Sequence, residues 1–350
     1  MQALSFGIVI SIALSAFGAI TVSKPVAAQS RIDITSMHPP SMPWINGLRT
    51  VFAPSASIQL VNARQAGIVW NGRFGPESIN FDNFSDITLD GPTIGFFPVQ
   101  HITRVIPLAA VGLAAPYFAG NSAMVSRAYD STYITSPAFS TQWHNANTVY
   151  LATVAWDSYQ ILRKQPINEI SDIEQGTYII PAPLSSWFDG TRLKVKAVPV
   201  PELGTRLKSE DIEGVIAPLS LAQSVGLLKQ APHIIQIDLA SVPLGFLVAR
   251  KDKWEALPEL TQMALRGSAR KYRDYMSSIM AVTATQVIQT VLLGNGSVER
   301  VSADWKRSLS EEFIDWGSTW REAQGPDGQQ VLNAYQNGLK ASGQISYRQW

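Results

Sequence analysis

Between residues 148 and 249 the hydrophobic positions fall in short dense runs separated by polar turns. TVYLATVA (148–155) is a continuous apolar run of strand length, the mark of a buried strand. TYII (177–180), KVKAVPV (194–200), GVIA (214–217), IIQI (234–237) and GFLVA (245–249) follow as further strands. The intervening pieces have helical or loop character: 171–174, 183–190, 204–212 and 220–228. Strands alternating with helices predict a parallel α/β sheet, with the chain crossing back to an earlier lobe at 245–249.

The two ends of the chain read differently. RIDIT (31–35) alternates as a first strand, and three prolines between 38 and 43 prescribe a loop after it. Residues 47–53 begin a short helix, 58–69 and 81–89 are mixed segments, 93–99 is an apolar run and 107–118 is small and apolar. A helix over 122–130 has Asn121 as its cap.

The last third is helical. Leu260, Met263, Ala264, Tyr272, Tyr275, Ile279, Thr283, Val287 and Val291 recur at helical spacing, with Pro258 at the start. One helix over 259–293 spans about 50 Å at 1.5 Å per residue, longer than one domain is wide, so it is expected to lie across two lobes. Ser302 caps a second helix whose face is Trp305, Leu309, Phe313, Trp316 and Trp320. Gly325-Pro326-Asp327-Gly328 is expected to end it, and 331–339 forms a last short helix.

Composition adds a compartment. Residues 4–22 carry no charge; Pro25 and then Val26-Ala27-Ala28 follow, the pattern of an export signal cleaved after Ala28. The n-region lacks Lys and Arg, and 19 apolar residues are also long enough for a retained membrane anchor. With 28 residues removed, about 320 remain, more than one compact core usually holds, so two lobes are expected. A net charge of +1 gives no drive towards nucleic acid, and the absence of Cys excludes disulfides and a lipid-anchored cysteine.

Catalytic and cofactor signatures are missing. His38, His101, His144 and His233 stand alone, without the spacing of a metal helix. Ser122 in GNSAM lacks the second Gly of a nucleophile elbow; with His101 or His144 it forms the only set a hydrolase would have. No phosphate loop or dinucleotide fingerprint occurs, and Glu210, Asp211 and Glu213 read as a solvated face. The chain is read as a non-enzyme that needs no cofactor or metal. A binding protein needs two lobes, a hinge and a cleft.

The residues that carry a resemblance lie between 93 and 320. Lys164-Gln165-Pro166-Ile167 followed by Asp172–Ile180, then Asp211-Ile212-Glu213-Gly214 with Pro218, then Trp254-Glu255-Ala256-Leu257-Pro258-Glu259 resemble the periplasmic substrate-binding subunits of tripartite ATP-independent periplasmic (TRAP) transporters. There the patterns are roughly K-P-I, D-L-x-G-x-x-I-R, V-D-G-x-x-x-P and W-x-x-L-P-E; this chain has an extra residue at Gln165 and another between Asp172 and Gly176. The resemblance implies a two-lobed α/β periplasmic-binding-protein fold with mixed or parallel sheets, a central cleft and a long helix spanning both lobes. It implies a first lobe of 29–152 plus about 242–285 and a second of 153–241 plus about 286–340. It also implies capture of a small organic solute by lobe closure and delivery to an inner-membrane permease.

One departure bears on the ligand. The family's carboxylate-pairing Arg falls at Ile180, and its polar residue before the Pro at Ile216 or Ala217. An apolar cleft does not neutralise a buried carboxylate, so a simple C4-dicarboxylate is not expected unless Arg163, Arg192 or Arg127 substitutes. The candidate cleft residues are Ile180, Trp187, Phe188, Ala217 and Phe246, with Tyr159, Trp70 and Phe97 added. A ligandless or membrane-anchored sensor of the same fold is the alternative.

Overall fold

The computed structural model describes residues 30–76, 94–114, 120–182 and 184–343. The expected leader and the 81–89 segment lie outside them. The chain opens with β1 (Arg31–Ser36), a proline-rich loop, α1 (Pro43–Gly47), a π-helical turn (Leu48–Phe52) and α2 (Ala53–Asn62). Then come β2 (Val69–Phe74), β3 (Ile94–Pro98), α3 (Val99–Val105) and a 3-10 segment at Pro107–Leu113. The expected mixed segment at 58–69 starts in the last turns of α2, where Leu60 is buried while Ile58 and Val61 stay exposed, and then loops to β2. After α4 (Ser122–Thr135) and α5 (Pro137–Asn145), β4 (Thr148–Ala155) is buried along its whole length. Asn121 caps α4 by accepting from the Met124 amide, and Ser136 caps α5.

The second lobe holds β5 (Tyr159–Arg163), α6 (Ser171–Gln175), β6 (Thr177–Pro181), a 3-10 segment (Leu184–Phe188), β7 (Lys194–Val198) and α7 (Leu203–Arg206). It continues with β8 (Gly214–Pro218), α8 (Leu219–Ser224) and β9 (His233–Gln236). The chain then returns through β10 (Pro243–Arg250) and α9 (Lys251–Glu255) to α10 (Glu259–Leu293), β11 (Val298–Arg300), α11 (Ala303–Glu312) and α12 (Trp316–Ala341).

Two sheets form. The first has the order β2-β1-β3-β10-β4 and the second β11-β9-β5-β8-β6-β7. Each is mixed for the same reason: one strand enters it from the other lobe. β10 runs antiparallel to β3 and β4, and β5 runs antiparallel to β8 and β9. Elsewhere β1 pairs in parallel with β2 and β3, and β6 with β7 and β8.

The two crossing segments, 156–158 and 237–242, lie side by side as a hinge. The Trp156 amide donates to the Val242 carbonyl (3.0 Å), Tyr159 to Ala240 (2.8 Å) and Leu239 to Tyr159 (3.1 Å). The Gln160 amide group clasps Asp238 from both sides, donating to Oδ1 (2.8 Å) and accepting from the Asp238 amide (3.0 Å). Asp238 also takes Lys306 Nζ at 2.6 Å.

α10 joins the lobes a third time. Leu265, Tyr272, Met276 and Met280 pack into the first lobe's core, and Val287 and Val291 into the second's. It is long and apolar enough to cross a membrane, but one face is committed to both cores.

The C-terminal region departs from the expected division. The stripe Trp305–Trp320 is not one helix. α11 stops at Phe313, whose backbone turns extended, and Asp315 starts α12 by accepting from the Ser318 amide. Trp305, Leu309 and Phe313 stay in the second lobe, while Trp320 packs on the first. α12 lies against α4, α5 and the 107–113 segment, and its Val331, Leu332, Tyr335 and Leu339 complete the first lobe's core around Tyr129, Phe139 and Trp143. Residues 316–341 therefore pack on the first lobe, where 286–340 was expected on the second. The apolar face of α12 fills a groove between α4 and the 107–113 segment that the sheet alone leaves open. The expected stop at 325–328 is a kink within α12 at Gly325, whose φ of 64° suits glycine.

Candidate functional site

The ends of the strands define a cavity of about 360 Å³ between the lobes. In α/β sheets such a crevice forms beyond the carboxyl ends of the strands. The first lobe supplies His38, Met42 and Trp44 after β1, and Pro98, Val99 and Gln100 after β3. The second supplies Pro181, Ala182 and Leu184 after β6, Val200 and Pro201 after β7, and Leu221 on α8. The hinge provides Trp156, Tyr159 and Val242 as the floor.

The aromatic wall is ordered by its own contacts. Trp44 stands edge-on to Trp156, with ring centroids 5.4 Å apart and an 83° interplanar angle. Trp44 Nε1–H donates to His38 Nδ1 at 2.9 Å. That bond fixes the tautomer: Nδ1 carries no proton, so the neutral ring holds its hydrogen on Nε2 and is a donor there. Burial, with His101 adding to it, lowers the His38 pKa to about 4, so the ring is uncharged at neutral pH. Burial and the neighbouring Asp157 raise the Tyr159 pKa, which keeps the phenol protonated.

Of the eight candidate residues, Tyr159 lines the cavity. Trp187 bridges the lobes at its rim, donating from Nε1 to the carbonyl of Leu113, itself a lining residue, at 3.1 Å. The other six sit elsewhere. Phe97 and Phe246 are paired across β3 and β10 and face the first lobe's core, with Phe246 against Tyr129 and Trp143 at 5.2 and 5.4 Å. Ile180 and Phe188 pack in the second lobe's core, Phe188 edge-on to Phe313 at 5.6 Å. Ala217 lies in the core beneath α8. Trp70 rests on Phe52, donates to Ser57 Oγ and belongs to a separate first-lobe pocket.

Two residues that line the cavity sit one position beyond those picked from the sequence: Pro98 after Phe97 and Pro181 after Ile180. Strand alternation sends the residue at the strand's end to the cleft and its neighbour to the core. His38, Trp44 and Trp156 were missed. The available signal for His38 was position: it opens the proline-rich loop directly after the first strand.

The three arginines offered as substitutes are committed away from the cavity. Arg163 is buried, donates to the Asp172 carbonyl (2.6 Å) and faces Glu213 at 3.6 Å. Arg192 pairs with Glu174 (2.9 Å) and Glu312 and lies over the Trp305 ring. Arg127 is 4.0 Å from Asp274 and lines a second, polar cavity of about 540 Å³ behind the hinge. In that rear cavity Asp157 accepts from the Leu219 amide at 2.8 Å and from Ser220. Its burial, only partly offset by those bonds, pushes its pKa up to about 6. Of the hydrolase set, Ser122 Oγ donates to the Ala155 carbonyl, and His144 contacts the Tyr133 hydroxyl.

A search of curated proteins returns no match to the sequence. Among solved structures, a TRAP periplasmic solute-binding protein from Desulfovibrio salexigens, in an open complex, superimposes with a TM-score of 0.75 at 14% identity, over 91% of this chain and 98% of its own. DctP6, an extracytoplasmic solute receptor of Bordetella pertussis that binds pyroglutamic acid, gives 0.67 at 15% identity, over 88% and 100%. TeaA, the ectoine-binding protein of the TeaABC TRAP transporter, in its apo state, gives 0.70 at 16% identity, over 89% and 99%. At these identities the likeness establishes the two-lobed fold. The family rests on the sequence itself: residues 74–315 match the bacterial extracellular solute-binding proteins, family 7, and the chain belongs to that family.

Proposed function

We propose that this protein is the periplasmic receptor of a TRAP-type secondary transporter, which holds a small organic solute between its lobes and presents it to a membrane permease. The observation that carries this reading is the cavity itself: both lobes wall it, and the hinge strands form its floor. A solute there touches both walls only when the lobes approach, so binding shifts the population towards closure. A simple C4-dicarboxylate does not suit these walls. The family assigns binding and no catalytic step, and we extend that to this chain.

Protein purified under native conditions from the periplasm is expected to carry a small molecule visible by native mass spectrometry. Adding that molecule back at 100 times its Kd should stabilise the protein by about 2.7 kcal/mol and raise its Tm. A chain that neither retains nor responds to any solute would support the ligandless sensor instead.

The Trp187 bridge makes a kinetic prediction. Trp187→Phe keeps an aromatic ring in the second lobe's core and removes one interlobe hydrogen bond, a contribution of about 1 kcal/mol. Stopped-flow fluorescence with the co-purified solute should show dissociation roughly fivefold faster with association nearly unchanged. Unchanged dissociation would mean the bridge does not hold the closed state.

A further inference from the structure

Resting on the receptor reading above, we propose that the cleft selects an uncharged solute with an apolar body and one hydrogen-bond acceptor, and that His38 reads the acceptor through its Nε2–H.

The argument starts from charge. Among the described residues lining the cavity, His38 and Tyr159 are the only titratable ones. Both are neutral at pH 7, His38 because it is buried beside His101 and Tyr159 because a phenol in this setting keeps its proton. His101 is itself held below the ordinary imidazole value by burial and Arg104. The arginines that might have reached the cleft are tied to Glu213, to Glu174 and Glu312, and to Asp274. None of the described residues lining the cavity carries a positive charge at pH 7. A carboxylate here would lose its hydration without gaining a counter-charge. A cationic solute fares no better, since no carboxylate is among the described residues lining the cavity.

The remaining walls describe the solute's body. Trp44 and Trp156 present perpendicular rings, and Pro98, Leu113, Leu184 and Leu221 supply aliphatic surface. A volume of about 360 Å³ equals roughly a dozen water volumes, room for a single small ring system. Within this surface the His38 donor is held in one tautomer by Trp44, and Gln100 adds an exposed amide. A half-buried donor on a ring held by Trp44 disfavours solutes that leave it unpaired, so the acceptor is a requirement.

Matched probes test this at pH 7.4 by tryptophan-fluorescence titration of the full-length mature protein: benzamide, benzoate and benzylammonium, and indole-3-carboxamide against indole-3-carboxylate. Each amide is expected to bind at least about tenfold more tightly than its carboxylate, and benzamide more tightly than benzylammonium. His38→Phe should weaken amide binding roughly five- to tenfold and lower the Tm slightly by leaving the Trp44 N–H unpaired, whereas His38→Gln, which accepts from Trp44 and retains a donor, should restore most of both. A carboxylate or ammonium that binds as well as its amide overturns the uncharged class and leaves the receptor reading standing. Equal amide affinity in wild type and His38→Phe removes His38 as the reader. No saturable response to any probe counts against this ligand class, and if native mass spectrometry also finds no retained solute, the receptor reading falls with it.

Discussion

Gly214→Ala is expected to cost the protein roughly 3 kcal/mol or more, among the largest effects of any single methyl group in this fold. Gly214 opens β8 at the centre of the second sheet, directly opposite Arg163 on β5. A β-carbon there overlaps the carbonyl oxygen of Leu162 and stands 3.1 Å from its carbon and 3.2 Å from Arg163 Cα. All three atoms are backbone, so no rotamer change relieves the clash. The two strands must separate, and the ladder that ties the hinge strand β5 to β8 is broken. The Tm should fall by roughly 6–12 °C in a thermal melt. Gly204→Ala is the control: its nearest neighbour would be Gln230 Nε2 at 3.9 Å, and it lies in α7, where alanine is favoured. Equal melting of the two variants would show that β8 has room the geometry does not provide.

The second large effect is one of pH. Folding lowers the His38 pKa from 6.5 to about 4, so between those values the unfolded chain binds the proton and the folded one does not. Stability from this group is full above pH 6.5 and is lost as pH falls through that window. Folding raises the Asp157 pKa from 3.8 to about 6, so there the folded chain holds the proton and stability increases as pH falls through 6. The two effects oppose each other and flatten the wild-type profile. Single substitutions separate them. In Asp157→Asn the opposing carboxylate is gone, and the His38 shift by itself should remove about 2 kcal/mol between pH 7 and pH 5. In His38→Gln, which still accepts from Trp44, the same change should add about 1 kcal/mol through Asp157. Urea unfolding at the two pH values measures the difference between the variants, about 3 kcal/mol, in which the other carboxylates cancel. A difference near zero would mean that neither group is shifted by its burial.

β4, β6, β8 and β10 were legible because their apolar runs are short, dense and bounded by turns, whereas β2, β5 and β11 carry no such run and were not expected as strands. So was α10, whose periodicity runs unbroken from Glu259 to Leu293. The stripe Trp305–Trp320 was misread because helical spacing survives a break: Trp316 and Trp320 keep the phase of α11 although Asp315 begins a new helix aimed at the other lobe. At the site, aromatic size did not tell core from cleft: Phe97, Phe246 and Phe188 fill the cores, while Trp44 and Trp156 wall the cleft beside Pro98 and Pro181 at strand ends.

What the sequence determined by itself was the family, the two-lobed frame and the lack of an arginine at Ile180, since these follow from local pattern and residue type. What only the tertiary structure decided was which side chains meet. Trp44 and Trp156, more than a hundred residues apart, make one wall; the Trp44 indole chooses the tautomer of His38; and Arg163, Arg192 and Arg127 are held away by carboxylates. Such pairings depend on how the hinge strands place one sheet against the other, and no local pattern in the chain encodes that distance.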